Sequence, residues 1–193
     1  MKKVLIAVFT LIIFNQAQAA IIGNDIENRD HVDNASNIHF IDRTLSFTFD
    51  GVIESWDIYS GRNNSEFALQ VFRNTGTINE YELIGENYFS TAGGLGALNF
   101  SIIEAEQIHV KAGDVIGWWY GNGAGVIDFD GSGAGGSWAS YPTTALNIGE
   151  SLTFNNNNRT YSISANVVPE PSIIALMGLG ILGLGLSRRK MKK

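Results

Sequence analysis

Hydrophobic and polar positions alternate in short runs from about residue 37 to residue 167. In LSFTFDGVIESWDIYS (45–60), Leu45, Phe47 and Phe49 fall on one face, Asp50-Gly51 interrupts, and the alternation resumes through Val52, Glu54 and Trp56. Asp-Gly between two alternating runs predicts a hairpin. The same period of two runs through FALQVFR (67–73), YELIGENY (81–88), EQIHV (106–110), DVIGWWY (114–120), GVIDF (125–129), SLTF (151–154) and TYSISANV (160–167). Glycine, asparagine and serine clusters separate these runs, and no helix-length window carries a 3.6-residue period. The pattern predicts an all-β body over 37–167, an antiparallel β-sandwich or jelly roll. Trp118 and Trp119 are adjacent on one strand and must face opposite ways.

Three stretches within this pattern, LQVFRNTG (69–76), YELIGEN (81–87) and IHVKAGDVIGWW (108–119), resemble strands of assorted secreted β-sandwich modules. The physical content of the likeness is a turn at Gly113-Asp114 followed by a strand opening on Val115, Ile116 and Trp118. It supports the sandwich and nothing more specific.

The two ends read differently from the body. Lys2 and Lys3, an apolar run Val4–Phe14 and the A-x-A triplet Ala17-Gln18-Ala19 form a secretory signal peptide, with cleavage leaving Ala20 first. At the other end, Val168-Pro169-Glu170-Pro171-Ser172 precedes an uncharged run, Ser172–Leu186, and then Arg188, Arg189, Lys190, Lys192 and Lys193. As a helix that run covers about 22 Å, short of the roughly 30 Å of hydrocarbon in a bilayer. Four glycines weaken it further. The basic cluster holds the C-terminus on the cytoplasmic side. A short transmembrane helix of this kind is expected to pause in the inner membrane.

This trio resembles the PEP-CTERM sorting signal of Gram-negative bacteria. The resemblance implies recognition by a membrane-embedded exosortase after Sec export, cleavage at or near Pro169, Glu170 and Pro171, and an association with exopolysaccharide and biofilm growth. It covers about the last 26 residues, and the body resembles no family by name. The division is therefore residues 1–19 as signal peptide, 20–168 as body and 169–193 as sorting signal. The expected path is a transient inner-membrane anchor, then the cell surface or the extracellular space.

Removing both ends changes the charge. The body carries six basic residues against eighteen acidic ones, a net of −12, whereas the whole chain stands at −6. Nucleic acid and anionic lipid are poor partners for such a surface. There is no cysteine, so a body of this length relies on its core rather than on disulfides.

Catalytic patterns are absent. GGSWA (135–139) misses the G-x-S-x-G elbow by its last residue, and GSGAGG (131–136) satisfies G-x-G-x-x-G but opens no helix. The expectation is no enzyme and no catalytic residues. DFDGSG (128–133) spaces Asp128, Asp130 and Ser132 as in a calcium loop, but the twelfth position is Ala139, and a plain hairpin turn at Asp130-Gly131 with solvated carboxylates is the preferred reading. Among the aromatics, Trp119, Trp138 and Tyr141 are the candidates for stacking on a sugar ring, against sandwich packing as the bland reading. The sequence thus predicts a non-catalytic surface or matrix protein that contacts exopolysaccharide. A purely structural matrix protein and a secreted glycan-active hydrolase are the alternatives.

Overall fold

Branched and aromatic residues at alternate positions extend the backbone into strands throughout residues 18–131, 135–141 and 144–170, the parts that the computed structural model describes. The signal peptide through Ala17, Ser132, Pro171, the C-terminal apolar run and its basic cluster lie outside the described residues. In chain order the strands are β1 (Ala20–Gly23), β2 (His31–Val32), β3 (Ile38–Ser46), β4 (Gly51–Ser60), β5 (Glu66–Asn74), β6 (Glu80–Ser90), β7 (Gly96–Ser101) and β8 (His109–Val110). They continue as β9 (Val115–Tyr120), β10 (Asp128–Asp130), β11 (Ser137–Ser140), β12 (Ser151–Thr153), β13 (Asn155–Asn156), β14 (Thr160–Tyr161) and β15 (Ile163–Pro169). The only helical element among the described residues is a single 3-10 turn, Glu104–Glu106. Four non-glycine residues adopt left-handed backbone there, Asn37, Asn64, Asn79 and Asn158. All four are asparagine, the side chain that best tolerates that conformation.

The strands form three sheets. One has seven strands in the order β12-β6-β5-β9-β3-β11-β13, one follows β1-β15-β4-β7 with β8 also on β4, and the smallest is β14-β10-β2. The fold is all-β and antiparallel.

The expected hairpin at Asp50-Gly51 does not form. β3 pairs with β9 and β11, while β4 pairs with β7, β8 and β15 in a different sheet. The chain instead turns a corner between sheets, and a second segment turns beside it. Phe47 N–H donates to Asp114 O at 2.9 Å, Gly113 N–H donates to Phe47 O at 2.8 Å, and Gly51 pairs with Val110. Gly51 is glycine for contact rather than for turn geometry: a Cβ there would lie 2.7 Å from Val168 O.

The alternation expected through Val52, Glu54 and Trp56 also slips. Ile53, Trp56 and Ile58 all enter the core, and Glu54 is exposed. The reason lies in the neighbouring chain. β7 pairs with Ser55–Ser60 and β8 with Gly51–Val52, so together they are one interrupted partner of β4. The residues between them loop out opposite Ile53 and Glu54, the geometry of a bulge, and the side-chain parity of β4 changes there. This also explains why EQIHV is strand only at His109–Val110. Asn87 braces the loop, accepting from Trp56 Nε1 at 3.1 Å and donating to Glu106 O at 2.8 Å.

One buried cluster draws on all three sheets: Trp56 and Ile58 from β4, Ile163 and Val167 from β15, Phe40, Leu69, Trp118 and Tyr120 from the seven-stranded sheet, and Phe129 and Tyr161 from the smallest. A second cluster unites Ile41, Phe72, Tyr81, Leu83, Val115 and Phe154, with Leu146 and Leu152 against it. Phe72 and Val115 lie on the face of β5 and β9 opposite Val71 and Ile116. β5 is therefore buried on both faces, without a gap from Phe67 to Phe72.

An ion pair fastens the corner to this sheet. Arg73 Nε and Nη2 donate to Asp114 Oδ1 and Oδ2, both at 2.7 Å, and Lys111 N–H donates to Oδ2 at 2.8 Å. Asp114 is fully buried. Removing Arg73 leaves that carboxylate buried with one neutral donor, which is the costly way to break a pair. Arg73→Ala is expected to lower unfolding free energy by about 2 kcal/mol in urea titration, the guanidinium being partly exposed. An unchanged midpoint would show that the pair contributes nothing.

Candidate functional site

The face of the seven-stranded sheet that bears the second cluster is only half covered. Across it, strand register aligns Tyr88 (β6), Ala68 (β5), Trp119 (β9), His39 (β3) and Ser140 (β11) in one row. The next row holds Glu86, Gln70, Gly117, Ile41 and Trp138. Segment 146–154 covers the far part of this face through Leu146, Leu152 and Phe154. The near part is open, and a groove of about 550 Å³ lies there.

Trp119 and Tyr88 shape the groove. Ala68 between them is short, and the two rings lean across it to a centroid distance of 6.4 Å with planes at 86°, a floor and a wall. Behind Trp119, the His39 ring stacks at 5.5 Å and 21°. Gly121 crowds the indole edge, where a Cβ would come within 3.1 Å of Cη2. The rim supplies Asn64, Ser65, Glu66, Ser90 and Asn122. Flat apolar rings beside hydroxyls, amides and a carboxylate suit a polyhydroxylated ligand with one apolar face.

A hydrogen-bonded chain holds the rings. Tyr88 OH donates to Glu86 Oε1 at 3.0 Å, and Gln70 Nε2 donates to Glu86 Oε2 at 2.9 Å. His39 Nδ1 lies 3.0 Å from Gln70 Oε1. The Gln70 amide is oriented by Glu86, so its oxygen accepts and His39 Nδ1 carries the proton. Burial pushes the His39 imidazole from 6.5 down to about 4, against the opposing pull of Gln70 and of the Thr144 backbone. Burial, and then the Glu86 charge, push the Tyr88 phenol up to about 12. At neutral pH His39 is uncharged, and Tyr88 keeps the proton it donates.

Of the three aromatic candidates read from the sequence, Trp119 lines the groove while Trp138 and Tyr141 do not. Trp138 is partly buried against the second cluster, with the Arg43 guanidinium 4.3 Å above its ring. Tyr141 is 71% exposed just beyond β11. Tyr88, Glu86, Gln70 and His39 escaped the sequence reading. Only the shared parity of Glu86 with Tyr88 and of Ala68 with Gln70 hinted at them.

Asp128 and Asp130 lie in a strand, β10, rather than in a loop. Asp130 Oδ2 accepts from Arg29 Nη1 at 2.6 Å and Oδ1 from Asp30 N–H at 3.1 Å. The Asp30 N–H and then the Arg29 guanidinium hold the Asp130 carboxyl below the usual range. Its charge is thus already matched by a cation. Asp128 is buried, with its pKa raised by burial. No group of three or more His, Cys, Asp or Glu side chains among the described residues is placed to hold a metal ion.

At the other end of the reading, Ala20 opens β1 and pairs with Val167 of β15, and β15 ends at Pro169 with Glu170 next in the chain. β15 lies between β1 and β4, so Val167 is held on both sides. The PEP-CTERM protein-sorting motif matches residues 167–190. PEP-CTERM carriers are exosortase-targeted, so the match implies export with a C-terminal membrane anchor before processing. No helix among the described residues is long and apolar enough to cross a membrane, and the stretch that would anchor lies beyond them. No curated protein and no solved structure matches the chain.

The His39 shift carries a pH signature. Its folded pKa lies below its unfolded value, so the unfolded chain takes up the proton first and stability falls as pH drops from above 6.5 toward about 4. A depression of this size corresponds to about 3 kcal/mol. Urea titrations at stepped pH should therefore show wild type losing about 3 kcal/mol more than His39→Gln between pH 7 and pH 4. Parallel curves would contradict the buried neutral imidazole.

Proposed function

We propose that the protein is an exported, exosortase-processed component of the cell surface or extracellular matrix that contacts exopolysaccharide and catalyses nothing. We read the body as a β-sandwich, supported by the buried cluster that the seven-stranded and β4-containing sheets share. The observation that carries the glycan reading is the Trp119–Tyr88 corner, set in a groove whose rim is hydroxyl, amide and carboxylate. Pyranose rings present apolar C–H faces to aromatic planes and hydroxyls to such a rim. The non-catalytic reading is supported by the histidine behind Trp119: it is buried, neutral and hydrogen-bonded to Gln70. The sorting motif implies export, and that supports the reading of a surface or matrix location.

The testing experiment is binding of the purified body to the producing cell's own polysaccharide. Stacking is worth about 1–1.5 kcal/mol per ring, so Trp119→Ala and Tyr88→Ala should each weaken binding about tenfold while circular dichroism stays unchanged. Tyr141→Ala, outside the groove, should bind like wild type. If wild type binds no polysaccharide, the protein is a structural matrix component and the glycan reading falls.

Processing is tested separately. Mass spectrometry of the native exported protein should find a C-terminus near Pro169–Pro171. Peptides from 172–193 on the surface-located form would make the tail a permanent anchor.

A further inference from the structure

Resting on the glycan reading, we propose that the groove selects amino sugars and rejects acidic ones: its ligand is a hexosamine-bearing glycan with free ammonium groups, and uronate or sulfated glycans are excluded.

All six basic side chains of the body belong elsewhere. Arg29 is engaged by Asp130 and Glu27, Arg73 by Asp114, and Arg159 by Asp33 and Tyr161. Arg62 donates to the carbonyls of Gly125 and Asp33, and Arg43 lies over Trp138. Lys111 sits at the corner beside Asp114, outside the groove. An anionic sugar seated on the two rings would find no cation among the groove's described lining residues.

It would find one carboxylate in the groove and a second hydrogen-bonded to its Tyr88 wall. Glu66 lines the groove and is exposed. Glu86 is held in its row by donors to both oxygens, one of them the hydroxyl of the Tyr88 wall. Neutral donors leave its charge in place, so Glu66 in the lining and Glu86 beside the wall put negative charge next to the two aromatic faces. An ammonium group is favoured by both, through the Glu66 carboxylate and through the rings. A uronate loses hydration against like charge with nothing to replace it. Selection of this kind combines an attractive element with a repulsive one.

The experiment uses pentasaccharides of three charges on one scale: fully deacetylated chitosan, its N-acetylated chitin counterpart and alginate. Calorimetric titration of the folded body should give the order chitosan, then chitin, with no heat from alginate. Glu66→Gln should reduce the chitosan affinity about threefold to fivefold and the chitin affinity by less, so that the preference for chitosan over chitin shrinks. Glu104→Gln, a carboxylate outside the groove, and Trp119→Ala control for unspecific attraction of a polycation to an acidic protein. Trp119→Ala should weaken both chitosan and chitin, and Glu104→Gln neither. Equal affinity for chitosan and chitin, an unchanged Glu66→Gln, or alginate binding as tight as chitosan would overturn amino-sugar selection while leaving the glycan reading standing. No binding of any of the three, together with none of the cell's own polysaccharide, would remove the glycan reading and the selection with it.

Discussion

A single carboxylate, Asp114, stands where the two largest sheets exchange chain. Its side chain takes two donors from Arg73 and one from Lys111, and its carbonyl takes the Phe47 amide. Those four bonds join three segments: strand β5, the turn before β9, and the stretch that carries β3 across to β4. A corner between sheets breaks the ladder that would otherwise satisfy the backbone, and an unsatisfied buried group there is expensive. Asp114 supplies the missing acceptors. With the corner fixed, β9 runs between β5 and β3 in one register, and every row on the outer face of that sheet follows from it.

Register is what makes the groove. Sliding β9 by one residue would exchange Trp118 with Trp119, placing one indole in the wrong layer. In the observed register Trp118 is fully buried beside Phe40 and Tyr161, while Trp119 meets His39 on one side and Tyr88 on the other. The outer face then divides. Where Phe72, Ile41 and Leu83 stand, the segment carrying Leu146, Leu152 and Phe154 seals it. Where Trp119 and Tyr88 stand, nothing in the described residues covers them fully, and a polar chain from Tyr88 through Glu86 and Gln70 to His39 fixes their positions. A sheet buried on one face, sealed over half of the other and open over the rest presents rigid aromatic surface without giving up a core.

Much of this was legible in the chain. Strands β5, β6 and β9 announce themselves by alternation, and the opposite facing of Trp118 and Trp119 needs only the pleat. The stretches around Gln70-Val71-Phe72-Arg73 and Ala112-Gly113-Asp114 stood out as patterns, and the Arg73–Asp114 pair is the physical link between them. What failed depended on partners. Asp50-Gly51 is a hairpin signal only if the flanking strands pair with each other, and they lie in different sheets. The parity of β4 slips because a distant loop bulges opposite Glu54. Trp138 looked equivalent to Trp119 until the fold placed Arg43 over its ring and a hydrophobic cluster beneath. Tyr88 and Glu86 carry no local signal beyond their shared parity, since their meaning comes from Ala68 and Gln70 on a strand 16 to 20 positions away. The sorting motif, by contrast, is read by a protease from a short segment, and so it is legible at sight.

We propose the open half of the seven-stranded sheet, around Trp119 and Tyr88, as the surface through which the body meets its ligand. The most direct measurement is a nuclear magnetic resonance titration of the isotope-labelled body with short oligosaccharides from the producing cell's own polysaccharide. Amide and indole shifts are expected to concentrate at residues 64–67, 86–92 and 119–123, with Trp118 and Trp138 unmoved. Shifts centred on Trp138 and Tyr141, or spread evenly over the acidic surface, would contradict it.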